Sequence, residues 1–275
     1  MHPNKGNRGD PMRIKKTVWI FAMLMLTAIL VLIVNSRIQL TGEVIFGGNN
    51  DVFIKTDNLK KPLDDYQKPD DTNKIVAPEG LDYPNIDISK WQYILVNDAN
   101  SISTYTPETM EAGSTGLRMD ERAVSSLEKL LDAAKDAGYT PYVGTAYVSY
   151  SQQQKQFNAK ATELSEDADY SYDEAVELAR QIVAYPGCSE HQTGLAVDIF
   201  DQKYSVYDYS KMNAEFYKWL DANCAEYGFI KRYPSDKAEL TGWDEPWHYR
   251  YVGKEAAKFI MENDLCFEEF CAHYR

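Results

Sequence analysis

One stretch, Ser189-Glu190-His191-Gln192-Thr193-Gly194-Leu195-Ala196-Val197-Asp198, restricts what this chain can fold into more than any other, because its chemistry calls for a second segment beside it. That second segment is Glu245-Pro246-Trp247-His248. The chain has four histidines, at 2, 191, 248 and 273, and the two in the region that reads as folded each lie within a few residues of a carboxylate. Gly194 suits a turn with positive φ, and Leu195 to Phe200 reads as a strand with Leu195, Val197 and Ile199 on one face and Ala196, Asp198 and Phe200 on the other. Asp198 then faces away from the aliphatic side, and small Ala196 leaves room for the turn to bring His191 back to it. His191, Asp198 and His248 together make a three-ligand zinc set with one open position, the pattern of catalytic zinc sites. Glu245, separated from His248 by Pro246 and Trp247, is placed to stay off the metal and act as general base. A hydrogen-bonded His–Asp pair is the plainer alternative at either cluster. A structural zinc fits less well, since such sites are usually closed by four ligands and often by thiolates.

The ordered pattern Ser189-x-His191-x-x-Gly194-x-Ala196-x-Asp198, then Glu245-x-Trp247-His248-x-Arg250, resembles the VanY-like D-alanyl-D-alanine carboxypeptidases, zinc peptidases of the hedgehog/DD-peptidase fold that trim bacterial wall peptides. The resemblance runs from about Trp91 to Phe270 and includes Tyr227-Gly228-Phe229-Ile230-Lys231-Arg232-Tyr233-Pro234. It implies His191, Asp198 and His248 as zinc ligands, Glu245 as general base, Ser189 near the substrate, and peptidoglycan stem peptides as partners. One segment departs from it. Where the family has Ser-Gly-Tyr-Arg-Ser-Tyr-x-x-Gln, this chain reads Thr145-Ala146-Tyr147-Val148-Ser149-Tyr150-Ser151-Gln152-Gln153, so Val148 replaces an arginine suited to a carboxylate. If Tyr147 and Ser149 end a strand beside the zinc, Val148 points to the opposite side unless the chain bends there. A replacement cation is sought in Arg250, Arg232 and Arg180. Arg250 is the best placed, since it shares a strand face with His248. The substrate-binding candidates are therefore Ser189, Gln153, Tyr147 and Arg250, with Trp243, Trp247 and Tyr150 as further groove aromatics against the plainer reading of core packing.

The formal net charge is −13, yet residues 1–37 carry six basic residues and one Asp, a net +5 that leaves −18 beyond them. Nucleic acid is not an expected partner of so acidic a region. Thr17 to Ser36 contains no charged residue, and as a helix it spans roughly 30 Å, enough for a bilayer core. Lys5, Arg8, Arg13, Lys15 and Lys16 precede it, which places residues 1–16 in the cytoplasm, a single-pass anchor at 17–36 and the rest outside the cell membrane. A cleaved signal peptide is the alternative. Cysteines 188, 224, 266 and 271 all follow the anchor and permit two disulfides in an oxidising compartment. A Cys188–Cys224 bridge would brace the metal stretch and leave Cys266 with Cys271, with other pairings, free thiols and zinc ligation as alternatives.

Residues 37–83 read as a stalk: Val44-Ile45-Phe46 and Val52-Phe53-Ile54 flank a Gly-Asn-rich turn as a small hairpin, and a solvated Lys/Asp/Pro-rich run follows. The peptidase domain spans 84–275. Trp91 to Val96 is an apolar run with strand character. A helix from Glu121 buries Ala123, Leu127, Leu130, Leu131 and Ala134 and stops at Gly138. Pro141 to Tyr147 follows as a strand, Ser151 to Leu164 as a polar helix. Ser171 and Glu174 form a capping box that opens a helix carrying Ala175, Leu178, Ala179 and Ile182. A helix from about Asn213 to Tyr227, strands at 229–233 and 247–252, and a helix at 254–263 complete the domain. The fold class is α+β, a small central antiparallel sheet with surrounding helices, preceded by the transmembrane helix.

These readings converge on a membrane-anchored zinc metallocarboxypeptidase that removes the C-terminal D-amino acid, D-Ala-D-Ala being the expected terminus. The alternatives are an L,D-carboxypeptidase or endopeptidase using the same residues, and a wall-binding or sensory protein that keeps the fold without turnover.

Overall fold

The computed structural model describes residues 75–113, 115–167, 170–204, 206–207 and 211–275, with the backbone of two strands at 43–47 and 51–55. The expected anchor at 17–36 and most of the expected stalk lie outside the described residues. Among the described residues no helix is long and apolar enough to cross a membrane.

Strands β1 (Glu43–Gly47) and β2 (Asp51–Lys55) pair antiparallel as the expected hairpin. A ribbon of β3 (Thr109–Glu111) and β4 (Arg118–Asp120) leads into helix α1 (Glu121–Asp136), whose first turn is capped by the Asp120 side chain. The five apolar positions read from helical spacing are buried, and the chain leaves the helix at Gly138 with φ +92°. Next come β5 (Tyr142–Thr145), α2 (Tyr150–Asp167) and α3 (Tyr172–Ala179), the last opened by the Ser171–Glu174 capping box. Strand β6 (Ala196–Phe200) follows a single 3₁₀ turn at Glu190–Thr193, and β7 (Val206–Tyr207) pairs with β1. Helix α4 (Ala214–Asn223) precedes β8 (Phe229–Tyr233), a short α5 (Ala238–Thr241), β9 (Glu245–Tyr251), α6 (Lys254–Glu262) and α7 (Phe267–His273).

The central sheet has the order β5-β6-β9-β8 and is antiparallel throughout, in keeping with the α+β expectation. Val197, Ile199, Phe229 and Tyr249 pack from one face into a core with α1 and α4. Ile230 on the other face joins Val252 in a second core with α6 and α7. Helices α2 and α3 hold a third cluster through Phe157, Ala161, Leu164, Leu178 and Ile182.

Several expectations are corrected. Trp91–Val96 is not a strand: Trp91–Tyr93 forms one 3₁₀ turn, and the carbonyls of Gln92 and Ile94 accept from the Arg250 guanidinium instead of a neighbouring strand. The helix from Ala214 ends as α-helix at Asn223 and continues to Tyr227 as a 3₁₀ turn before Gly228 at φ +86°. Strand β9 begins at Glu245 rather than Trp247, so Pro246 lies inside it. Phe200 is buried in the same core cluster as Val197 and Ile199. Neither proposed disulfide forms, and all four thiols are free and buried. Cys224 sits in the main core and Cys271 in the second, so packing rather than cross-linking accounts for both.

Candidate active site

The site is assembled at the end of the central sheet by register. Asp198 on β6 stands opposite His248 on β9, and Thr145 on β5 stands on the other side of Asp198. Both outer pairings are irregular here. The register between β5 and β6 shifts between Val143 and Thr145, and that between β8 and β9 shifts between Lys231 and Tyr233. Such irregularities re-aim side chains. In a regular strand residues 245 and 248 would face opposite sides, yet the Glu245 carboxylate lies 3.5 Å from His248 Nδ1.

His191 arrives from the 3₁₀ turn. Gly194 closes that turn at φ +70°, where a Cβ would meet the backbone nitrogen of Asp120 at 2.8 Å, so glycine is required for both conformation and space. Thr193 bonds the Glu190 carbonyl, and Gln192 donates to the carbonyls of Ile102 and Tyr105, pinning the turn from both sides. The His191 ring places Nδ1 2.8 Å from the Ala146 carbonyl, which makes Nδ1 the protonated nitrogen and leaves Nε2 as a lone-pair donor.

His191, Asp198 and His248 each offer one atom within 4.8 Å of the others. Asp198 Oδ1 is 3.4 Å from His191 Nε2 and 3.2 Å from His248 Nδ1, but it is buried without a hydrogen bond of acceptable geometry. Tetrahedral ligands at about 2.0–2.2 Å from zinc lie roughly 3.3–3.6 Å apart. The spacing and the unsatisfied oxygen therefore fit a metal better than a hydrogen-bonded pair. Burial opposes the Asp198 charge, yet the two imidazoles hold its carboxyl well below the usual carboxylate range. For His248 burial likewise opposes the charge, but Asp198 and Glu190 outweigh it and push the ring up to about 9. Both shifts favour positive charge where the three side chains meet. Glu245 differs in kind. Burial, with Asp198 adding to it, pushes its carboxyl up to about 7, tempered by the quarter of the side chain that stays open to the cavity.

The cavity in front of these groups is lined by Ser189, Gln153, Trp243 and Trp247, all named from sequence, and by Val148. Strand β5 ends at Thr145, so the chain has left the sheet before Val148 and the alternation expected of a strand no longer applies. Gln153 is buried and donates to the Ala184 carbonyl. Two substrate-binding candidates stand outside the cavity lining. Tyr147 does not line the cavity, and its backbone N–H is taken by the Arg118 carbonyl. Arg250 shares the face of His248 as expected, but it is fully buried behind the site, where it donates to Glu190, Ile94 and Gln92. Arg232 is equally buried, on Glu190 and Glu268, and Arg180 does not line the cavity. Among the described residues, the cavity lining contains no lysine or arginine.

Two residues escaped the sequence reading. Tyr233 lines the cavity with its ring 4.8 Å from that of His248. Glu190, next to His191 in the chain, lies under His248, its Oε2 3.5 Å from His248 Nε2, and Arg232 and Arg250 both donate to its Oε1. Its adjacency to a ligand was the available signal, but its partners lie at positions 232, 248 and 250, and nothing local announces them.

Comparison with known proteins places this geometry. A family profile described as VanY, D-alanyl-D-alanine carboxypeptidase, matches residues 116–254. A D-alanyl-D-alanine carboxypeptidase of Enterococcus faecalis is 42% identical over 185 residues, covering 67% of each chain. Among solved structures, VanYB in complex with D-alanine-D-alanine aligns at 42% identity and a TM-score of 0.59, covering 68% of this chain and 100% of that one. A mutant of the vancomycin-resistance D,D-pentapeptidase VanY in complex with Zn(II) aligns at 43% identity and a TM-score of 0.58, covering 66% of this chain and 99% of that one.

Proposed function

Because the chain belongs to the VanY family of D-alanyl-D-alanine carboxypeptidases, we propose that it is a zinc-dependent carboxypeptidase removing the C-terminal D-amino acid from bacterial wall peptides that end in D-Ala-D-Ala. The observation that carries this reading is the convergence of His191 Nε2, Asp198 Oδ1 and His248 Nδ1 beside a carboxylate, Glu245, that belongs to no ion pair with Lys or Arg among the described residues. Those three atoms would hold the zinc, which supplies a Lewis acid that polarises the scissile carbonyl and acidifies water.

The chain's own residues do the rest. Glu245 takes a proton from the attacking water as the new C–O bond forms and returns it to the amine nitrogen as the C–N bond breaks. A carboxylate standing beside the proposed metal, 3.5 Å from His248 Nδ1, is in reach of a water held there and of the leaving nitrogen. Ser189 and Gln153 line the cavity as neutral polar groups for the peptide, and Trp243 and Trp247 provide apolar walls. A purely binding or sensory protein would have no use for a carboxylate beside the metal, which favours the enzyme over that rival. The test is release of D-alanine from a peptide ending in D-Ala-D-Ala. Activity is expected to vanish with a chelator, return with zinc, and fall by roughly 10²–10⁴ in a Glu245→Gln variant that still binds zinc. Full turnover in that variant or in metal-free protein would end the proposal.

The reading extends to location. The uncharged run from Thr17 to Ser36, with the basic residues before it, supports a single membrane anchor that holds the catalytic domain outside the cell. The full chain should sediment with membranes and its ectodomain should be open to external protease. A freely soluble full chain would refute this.

A further inference from the structure

Beneath the site lies a charged cluster that the proposed reaction does not use. Glu190, Arg232 and Arg250 have fully buried side chains, and Glu268 is nearly so. Arg232 Nε and Arg250 Nη1 donate to Glu190 Oε1 at 2.8 and 2.7 Å, and Arg232 spends its other two nitrogens on Glu268 of α7. Arg250 is held further by the Ile94 carbonyl at 2.8 Å. A buried carboxylate between two guanidiniums is fixed in position, because any rotation would strip charged donors of their acceptor.

Only one oxygen of Glu190 takes part in this. Glu190 Oε2 is buried with no hydrogen-bond partner, and so is His248 Nε2, and the two atoms face each other at 3.5 Å. An unpaired buried donor or acceptor costs about 1–3 kcal/mol, so two orphans so close point to one interaction. A closure of roughly half an ångström gives a normal hydrogen bond. The other ring nitrogen of His248 faces Asp198 and Glu245. The two nitrogens of one imidazole are thus divided between the cavity and the buried cluster.

Building on the zinc site proposed above, we infer that Glu190 is a positioning residue for the metal: its Oε2 accepts the His248 Nε2–H, which fixes the ring tautomer and presents Nδ1 to zinc. Arg232 and Arg250 hold Glu190 in place, and Glu268 anchors Arg232, so the brace runs from the metal ligand into helix α7. A carboxylate behind a ligating imidazole raises its basicity, and losing such a partner typically lowers metal affinity about 10–100-fold. A purely structural role, in which Glu190 merely neutralises two arginines, would leave both the tautomer and the metal affinity alone.

Two measurements on the full chain separate these roles. In histidine-labelled wild-type protein loaded with ¹¹³Cd, scalar coupling is expected from cadmium to Nε2 of His191 and to Nδ1 of His248, with a slowly exchanging proton on His248 Nε2. Coupling to His248 Nε2 would overturn the inference whatever any variant does. In Glu190→Gln, zinc affinity measured by chelator competition is expected to fall about 10–100-fold; because the lost charge leaves two buried guanidiniums short of an acceptor, the metal-free melting temperature falls as well, and affinity is read well below it. An unchanged affinity in a folded variant would overturn it, and if the variant does not fold the cadmium spectrum decides alone. Failure of the wild-type chain to bind zinc or cadmium would instead remove the metal site itself, and this inference with it.

Discussion

Val148 stands in the cavity lining where this chain departs from the pattern that its resemblance implies. It is buried against the cavity at a position that the resemblance assigns to arginine, and among the described residues no lysine or arginine lines the cavity. The arginines that seemed able to replace the lost charge are unavailable: Arg232 and Arg250 serve Glu190 behind the sheet, and Arg180 lies beside Tyr185, outside the lining. The lining instead carries neutral polar side chains, among them Gln153 and Ser189. A charge-assisted hydrogen bond contributes about 1.5–3 kcal/mol, roughly a factor of ten or more. Val148→Arg is expected to raise kcat/KM by about that factor on a peptide with a free C-terminus, chiefly through KM, since the carboxylate is unchanged during the reaction. Steady-state kinetics on folded, zinc-loaded variant give the answer. A kcat/KM equal to or below that of the wild type would show that position 148 does not meet the terminal carboxylate.

At the scale of elements, the site depends on where regular structure stops. Strand β5 ends at Thr145, which frees Val148 to reach the cavity. Strand β9 begins early at Glu245 with Pro246 inside it, and the register shift against β8 brings Glu245 and His248 to the same side. The 3₁₀ turn at Glu190–Thr193 gives adjacent residues different partners, with His191 beside Asp198 and Glu190 bound by Arg232 and Arg250. Trp91–Val96 shows the converse. The run is apolar enough to suggest a strand, but a buried guanidinium, that of Arg250, takes the carbonyls of Gln92 and Ile94, and Trp91–Tyr93 settles as a 3₁₀ turn. Helix α7 closes the second core with Phe267 and Phe270 and presents Glu268 to Arg232.

For the molecule as a whole, the free buried cysteines predict alkaline behaviour. Burial pushes the thiols of Cys224, Cys266 and Cys271 each up to about 12, whereas an unfolded thiol titrates near 8.5. Below about pH 8.5 both states hold these protons and the stabilising difference is fully present. Between about 8.5 and 12 the unfolded chain sheds protons that the folded chain keeps, so stability falls as pH rises, by up to about 1.4 kcal/mol per pH unit for each thiol. Buried Tyr233 and Tyr249, also pushed upward by burial, act in the same direction. Denaturant midpoints are expected to drop steadily from pH 8.5 to 11, and Ellman's reagent at pH 8 should find four thiols only after unfolding. A flat midpoint over that range, or fewer than four thiols in the unfolded chain, would contradict the buried-thiol arrangement.

What the sequence determined by itself is the chemistry that local spacing can encode. The grouping of His191, Asp198 and His248 was legible because the chain has only four histidines and two of them lie within a few residues of a carboxylate, and the capping box at Ser171 and the turn at Gly194 were legible because each acts within three or four residues. The α+β class followed from periodicity in the same way. Only the tertiary structure decided which side of the sheet each arginine serves. Arg250 is two residues from His248 and shares its face, yet whether that face opens on the cavity or on Glu190 depends on β6, β8, α7 and residues 92–94 meeting there. The same holds for Glu190, whose partners stand more than forty positions away, and for Val148, whose direction is set by where β5 ends. Burial and charge pairing are properties of the assembled interior, and no short window of sequence contains them.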